Sequence, residues 1–133
     1  MVRPFIPSIP SSSHSTRRSV RRLKMTIYHI VSFKVPGGAS AHSQLTSDFF
    51  SLKDTCVRPT DAKPYISAIR GGRQSSKEGK DQGMDVVFIL EFDNDEDLQY
   101  YLWKDPAHDA FKNNIKIDGV VVLDFTDIYP NSS

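Results

Sequence analysis

The stretch DVVFILEF, residues 85–92, is apolar without interruption from Val86 to Leu90 and again at Phe92. A run this short that sends apolar side chains to both sides suits a strand in the middle of a sheet, covered on both faces. Upstream of it, RQSSKEGKDQGM (73–84) is polar and punctuated by glycine, which makes it an exposed connection. PYISAIRGG (64–72) alternates like a short strand, and Gly71 and Gly72 release it into that loop. Further back, TIYHIVSFKV (26–35) sets Ile27, His29, Val31, Phe33 and Val35 on one side of a strand, with Tyr28, Ser32 and Lys34 on the other. Pro36, Gly37 and Gly38 end it. Between residues 39 and 57, Leu45, Phe49, Leu52 and Cys56 recur at spacings of four, three and four, a helical stripe.

Downstream, DNDEDLQYYLW begins with Asp93 and Asn94 as capping residues and carries Asp95, Glu96 and Asp97 in its first turn, where the helix dipole favours negative charge. Leu98, Tyr101 and Leu102 form the apolar stripe of this helix, which runs to about residue 104. Asp105 caps a further short helix with Pro106 at its first position, where a missing N–H costs nothing. Trp103 and Phe111 are expected in the core. GVVVLDFTDIY (119–129) is a last strand. The order β-α-β-β-α-α-β is that of the ferredoxin-like α+β arrangement, β-α-β-β-α-β, with a four-stranded antiparallel sheet and helices packed on one face. Such a sheet leaves its other face bare, and a bare apolar face marks an interface. A homodimer is therefore expected, the two sheets meeting face to face with Val87 and Ile89 near the contact.

Composition bounds the possibilities. The chain's 133 residues, 38% of them hydrophobic and 25% charged, allow one domain with one modest core. No apolar run approaches the roughly 20 residues that span a bilayer, so no membrane span is expected. Six of the 17 basic residues and none of the 16 acidic ones lie in residues 1–24, so the remainder is acidic by five charges. A body of that sign has no cluster with which to displace counterions, and nucleic acid is excluded as a partner. Residues 1–24 read as a disordered basic extension ahead of a domain at 25–130. Their Ser, Arg and Pro content is that of a mitochondrial transit peptide, yet Pro4, Pro7 and Pro10 would break its helix. A cytoplasmic location is expected, with a mitochondrial one through residues 1–24 as the alternative and Met25 as a second candidate start. Cys56 is the lone cysteine, placed on the buried stripe and inert. The four histidines share no ligand-like spacing, and Gly71-Gly72-Arg73 with Lys77 and Lys80 lacks the elements of a phosphate loop. Neither a metal nor any other cofactor is expected. Asn131-Ser132-Ser133 fits a glycosylation sequon, but no secretory signal accompanies it.

YHIVSFKV at 28–35, the glycine-bearing loop after residue 70, FILEFDNDEDLQYYLWKDPAHDAF at 88–111 and the closing VLDFTDIY together resemble the stress-responsive dimeric α/β-barrel (Dabb) family. The likeness covers about residues 26–129, and its strongest motif is Tyr101-x(6)-His108 ending in Pro-Ala-His. It implies a homodimer whose sheets form a central barrel, with a cavity in each subunit for a small hydrophobic or polyketide-like ligand. A cofactor-free plant polyketide cyclase of this family closes its substrate by aldol chemistry. Its residue roles, carried over by position, make His108 the general base, Tyr101 its assistant and His29 a pocket residue, with Phe33, Val86, Phe88, Leu102 and Phe111 lining the site. The Tyr101-to-His108 spacing is one residue longer than in that cyclase, and Val86 replaces a pocket histidine, which points to a different substrate or none. An aldol closure needs a base for carbon between two carbonyls and a donor for the enolate. His108, three residues into its helix near the positive dipole end, would stay neutral. Equally, His108 could only pack the turn between two helices, and His29 could be a hydrogen-bonded core residue. Three functions stay open: a cyclase-like or lyase-like enzyme, a non-catalytic stress-associated binding or structural dimer, and a barrel monooxygenase acting on quinol-like substrates or haem.

Overall fold

In the computed structural model, which describes residues 23–130, the chain runs β1 (Leu23–Lys34), α1 (Gly38–Thr55), β2 (Ala68–Arg73), β3 (Val86–Phe92), α2 (Asp95–Trp103), α3 (Pro106–Asn114) and β4 (Gly119–Pro130). Residues 26–126 form one compact unit, and the described outer ends of β1 and β4, residues 23–25 and 127–130, fall outside it. The proposed extension and the sequon lie outside the described residues, except that β1 already begins at Leu23.

The sheet order is β2-β3-β1-β4, the ferredoxin-like one, so β3 does lie inside the sheet. Both of its neighbours run antiparallel to it, with Val31 opposite Phe88 on one side and Gly71 opposite Phe88 on the other. Alternation along β3 then decides the faces: Val86, Phe88, Leu90 and Phe92 are fully buried, whereas Ile89 is 36% exposed. The apolar run is thus covered on one face by this chain's own helices and left open on the other.

Aromatic rings hold the helices to the covered face. Phe49 of α1 stacks on Phe88 with ring centroids 4.0 Å apart, and its edge meets Phe111 of α3 at 5.4 Å. Phe33 of β1 lies against Phe49, Phe88 and Phe111 at 6.0–6.4 Å, so one cluster ties two strands to two helices. Gly71 makes room for it: a Cβ there would come within 2.4 Å of the Val87 carbonyl oxygen and 2.5 Å of the Phe88 ring. The helical stripe read from the sequence is the buried one, with Leu45, Phe49, Leu52 and Cys56 all at 5% exposure or less.

Local chemistry sets the helix ends. Asn94 caps α2 by accepting from the Asp97 N–H at 2.8 Å, and Gly37, with φ +106°, turns the chain into α1 without a side-chain cap. Asp105 caps α3 by accepting from the Ala107 N–H at 2.8 Å. Three expectations fail. Gly71 and Gly72 do not release the second strand but lie within it, opposite Phe88 and Val87. The second strand starts at Ala68 rather than residue 64, because Pro64 pairs with Val57 in an isolated bridge before the ladder to β3 begins. Trp103 is not in the core: as the last residue of α2 it sits off the stripe of Leu98 and Tyr101, is 75% exposed, and donates its indole N–H to Gln99 at 3.1 Å. Phe49→Ala should therefore cost about 3–5 kcal/mol in a urea unfolding measurement, whereas Trp103→Ala should stay within about 0.5 kcal/mol of wild type.

Candidate functional site

The helices do not reach over β4. Val120 and Val122 point to the helical side of the sheet yet remain about half exposed, and the gap they border is a cavity of about 510 Å³. That size is ordinary for a small-molecule site. β1 supplies His29, Val31 and Phe33 to its wall, β4 supplies Asp124, the end of α2 supplies Tyr101 and Leu102, and α3 supplies His108, Phe111 and Lys112. Trp103, Ile115 and Ile117 complete the rim.

Three rings stand in a row on this wall. Tyr101 stacks on His108 with centroids 3.8 Å apart and planes 11° from parallel, and its other side meets the edge of His29 at 5.8 Å. Tyr101 is 1% exposed, and its hydroxyl has no hydrogen-bond partner among the described residues. Burial, with smaller contributions from Cys56 and Asp105, pushes that hydroxyl far above the usual phenol range, so it is held as a donor.

Each of the two cavity histidines has its Nδ1 occupied. His108 Nδ1 lies 2.7 Å from the Tyr101 backbone carbonyl, which can only accept, so Nδ1 carries the proton and Nε2 keeps its lone pair. The His108 pKa is lowered from 6.5 to about 4, chiefly by burial and further by Lys112 and His29, against the raising effects of the Tyr101 carbonyl and Asp105. Desolvation, rather than the helix N-terminus invoked from the sequence, is thus the main reason the ring is neutral. His29 is 4% exposed, and its Nδ1 donates to Asp124 Oδ1 at 2.6 Å. It is both a hydrogen-bonded core residue and part of the cavity wall.

A buried network positions His108. The Asp105 carboxylate, 2% exposed, accepts from the His108 N–H at 3.4 Å as well as from Ala107, and its other oxygen accepts from the Tyr65 hydroxyl at 2.5 Å. Cys56 lies beside the same carboxylate, and burial first, then Asp105, drives its thiol well above its ordinary range. The thiol is not a nucleophile.

The structure thus gathers His29, Phe33, Tyr101, Leu102, His108 and Phe111 around one cavity. Val86 and Phe88 are not part of it. Both are fully buried, the Phe88 ring against Phe49 of α1, because β3 lies one strand removed from the β1–β4 side on which the cavity opens. Sequence reading missed Asp124 and Lys112. Asp124 had a signal: in GVVVLDFTDIY it follows Val120 and Val122 at period two, and an acid on an apolar face calls for a partner. Among the described residues no group of three or more His, Cys, Asp or Glu is arranged to hold a metal, and no helix is long and apolar enough to cross a membrane.

A ferredoxin-like α+β domain with a cavity between its helices and the outer part of its sheet is the class that this geometry defines. The chain belongs to the stress responsive A/B barrel domain (Dabb) family, which it matches over residues 27–127. Among solved structures it is similar to the Arabidopsis thaliana protein At3g17210, with a TM-score of 0.59 at 23% identity, covering 82% of this chain and 97% of that one. It is likewise similar to the hydroxynitrile lyase of Passiflora edulis, with a TM-score of 0.59 at 14% identity over 83% and 97%. A dimeric ferredoxin-like protein from Jannaschia sp. CCS1 gives 0.56 at 19% over 75% and 97%. None of the curated proteins matches the chain in sequence.

Because the folded His108 is a weaker base than the unfolded one, the unfolded chain takes up its proton first on acidification. The associated stability is complete above pH 6.5 and is lost as pH falls toward about 4. Unfolding midpoints measured across that window should fall less steeply in His108→Gln than in wild type, and the imidazole signals of His108 should show an Nδ1–H tautomer throughout neutral pH.

Proposed function

We propose that this protein is a homodimer in which each subunit's cavity binds a small, largely apolar molecule and, without a cofactor, takes a proton from carbon flanked by carbonyl groups. The observation that carries this reading is the pairing, on one apolar wall, of a neutral His108, whose Nε2 is its unoccupied ring nitrogen, with a Tyr101 hydroxyl that has no hydrogen-bond partner among the described residues. His108 Nε2 would receive the proton, and Tyr101 would donate a hydrogen bond to the enolate oxygen. An imidazole of pKa about 4 is a weak base. The carbon acid must therefore be activated on its own account, which favours a 1,3-dicarbonyl unit of the kind found in polyketides over a simple ketone. A lyase step of the reverse aldol type uses the same two groups, and a hydroxynitrile lyase from Passiflora edulis shares the fold.

The low basicity also favours a second reading, in which His108 and Tyr101 only hydrogen-bond a bound molecule. Exchange of the acidic C–H of ethyl 3-oxooctanoate in deuterated buffer, followed by NMR above the buffer background, separates the two. Catalysis predicts a loss of roughly 100-fold or more in His108→Ala with the fold intact. Unchanged exchange in that variant would leave a binding dimer without chemistry.

The dimer rests on the open face of the sheet. Leu123, Phe125, Val121 and Ile89 are 61%, 49%, 42% and 36% exposed there, and Tyr28 stacks on Phe125 at 4.8 Å. A second copy is the occupant that suits such a face, since the relative from Jannaschia is described as dimeric. Light scattering at micromolar concentration should give about twice the 15.0 kDa of one chain. The double substitution Val121→Lys with Leu123→Lys should halve that mass. A wild-type mass of 15.0 kDa would refute the dimer.

A further inference from the structure

Lys112 stands on the cavity wall one helical turn beyond His108 on α3. Among the described residues it makes no hydrogen bond or ion pair. The one carboxylate on that wall, Asp124, is engaged by His29 at 2.6 Å. Apart from the two histidines and Tyr101, whose hydroxyl is held as a donor, the rest of the wall is hydrocarbon, aromatic ring and the indole of Trp103. Among the described residues the cavity therefore offers an exposed ammonium without an ion-pair partner at the edge of an apolar chamber, placed to meet an anion whose carbon body lies inside. That the two groups are in electrostatic reach is evident from His108, whose imidazolium Lys112 disfavours.

We infer that the molecule this cavity takes is an amphiphilic acid, its carbon body packed against Phe33, Phe111, Ile115 and Ile117 and its anionic group held by Lys112. The inference rests on the cavity being a ligand site, as proposed above, and adds the charge and polarity of the ligand. An anion on Lys112 would also cancel the repulsion between that ammonium and a protonated His108, so an acidic ligand would make the neighbouring base stronger on arrival.

Trp103 is the chain's single tryptophan and borders the cavity, which makes its emission a direct reporter. Decanoate and 1-decanol, equal in chain length and different in charge, are titrated against the full chain at low salt. Lys112→Gln should weaken decanoate by about fivefold and leave decanol unchanged, as expected for loss of one partly exposed ion pair. Lys112→Arg should restore decanoate binding, and Val122→Phe, which narrows the cavity without adding a second tryptophan, should abolish both titrations. If decanoate binds Lys112→Gln as tightly as wild type while decanol still binds, the anionic subsite is refuted and the cavity reading stands. If neither probe binds wild type, or Val122→Phe leaves both titrations intact, the cavity reading falls and takes this inference with it.

Discussion

The contact of Phe49 with Phe88 decides where everything else in the domain can go. Stacked rings 4.0 Å apart pin α1 over β3, and through Phe33 and Phe111 the same cluster draws in β1 and α3. Helices centred on that side of the sheet cannot also cover β4. The result is a strand whose valines and leucine remain 42–61% exposed, with hydrocarbon on both of its faces. One of those faces borders the cavity, and the other belongs to the bare side of the sheet. A single packing choice near β3 thus accounts for the cavity, while the one-sided helix layer accounts for the bare face.

Around that choice, short-range chemistry does the positioning. Asp105 is the clearest case, since one buried carboxylate satisfies the first turn of α3, receives the Tyr65 hydroxyl and lies beside Cys56. Its charge is stabilised by the helix N-terminus and by hydrogen bonds rather than by a cation. The backbone of His108 is fastened to the same group, so the orientation of the imidazole is set by the core beneath it as well as by the cavity in front of it.

Much of this was legible in the chain itself. Period-two alternation in β1, the stripe of Leu45, Phe49, Leu52 and Cys56, and the Asp105-Pro106 start of α3 are local signals, and local physics forms those elements. Tyr101 and His108 entered as candidates through the family resemblance rather than local pattern, and they meet because they are seven residues apart across one turn between helices. What could not be read was which strand lies beneath the cavity. Val86 and Phe88 look like pocket residues on pattern alone, yet both are buried away from the cavity, Phe88 against Phe49 of α1. Asp124 meets His29 across 95 positions of sequence, a juxtaposition that strand order creates and local pattern does not. Trp103 misled because size and hydrophobicity argued for burial while its angular position on α2 argued against it.

The bond from His108 Nδ1 to the Tyr101 carbonyl has one more implication. A peptide oxygen has no useful basicity, so the imidazole cannot act as a conduit that accepts hydrogen at one nitrogen and discharges it at the other. Whatever arrives at Nε2 must depart from Nε2. The ring is a dead end for protons rather than a wire, and chemistry conducted there is suited to shuttling one hydrogen between two atoms of the same bound molecule.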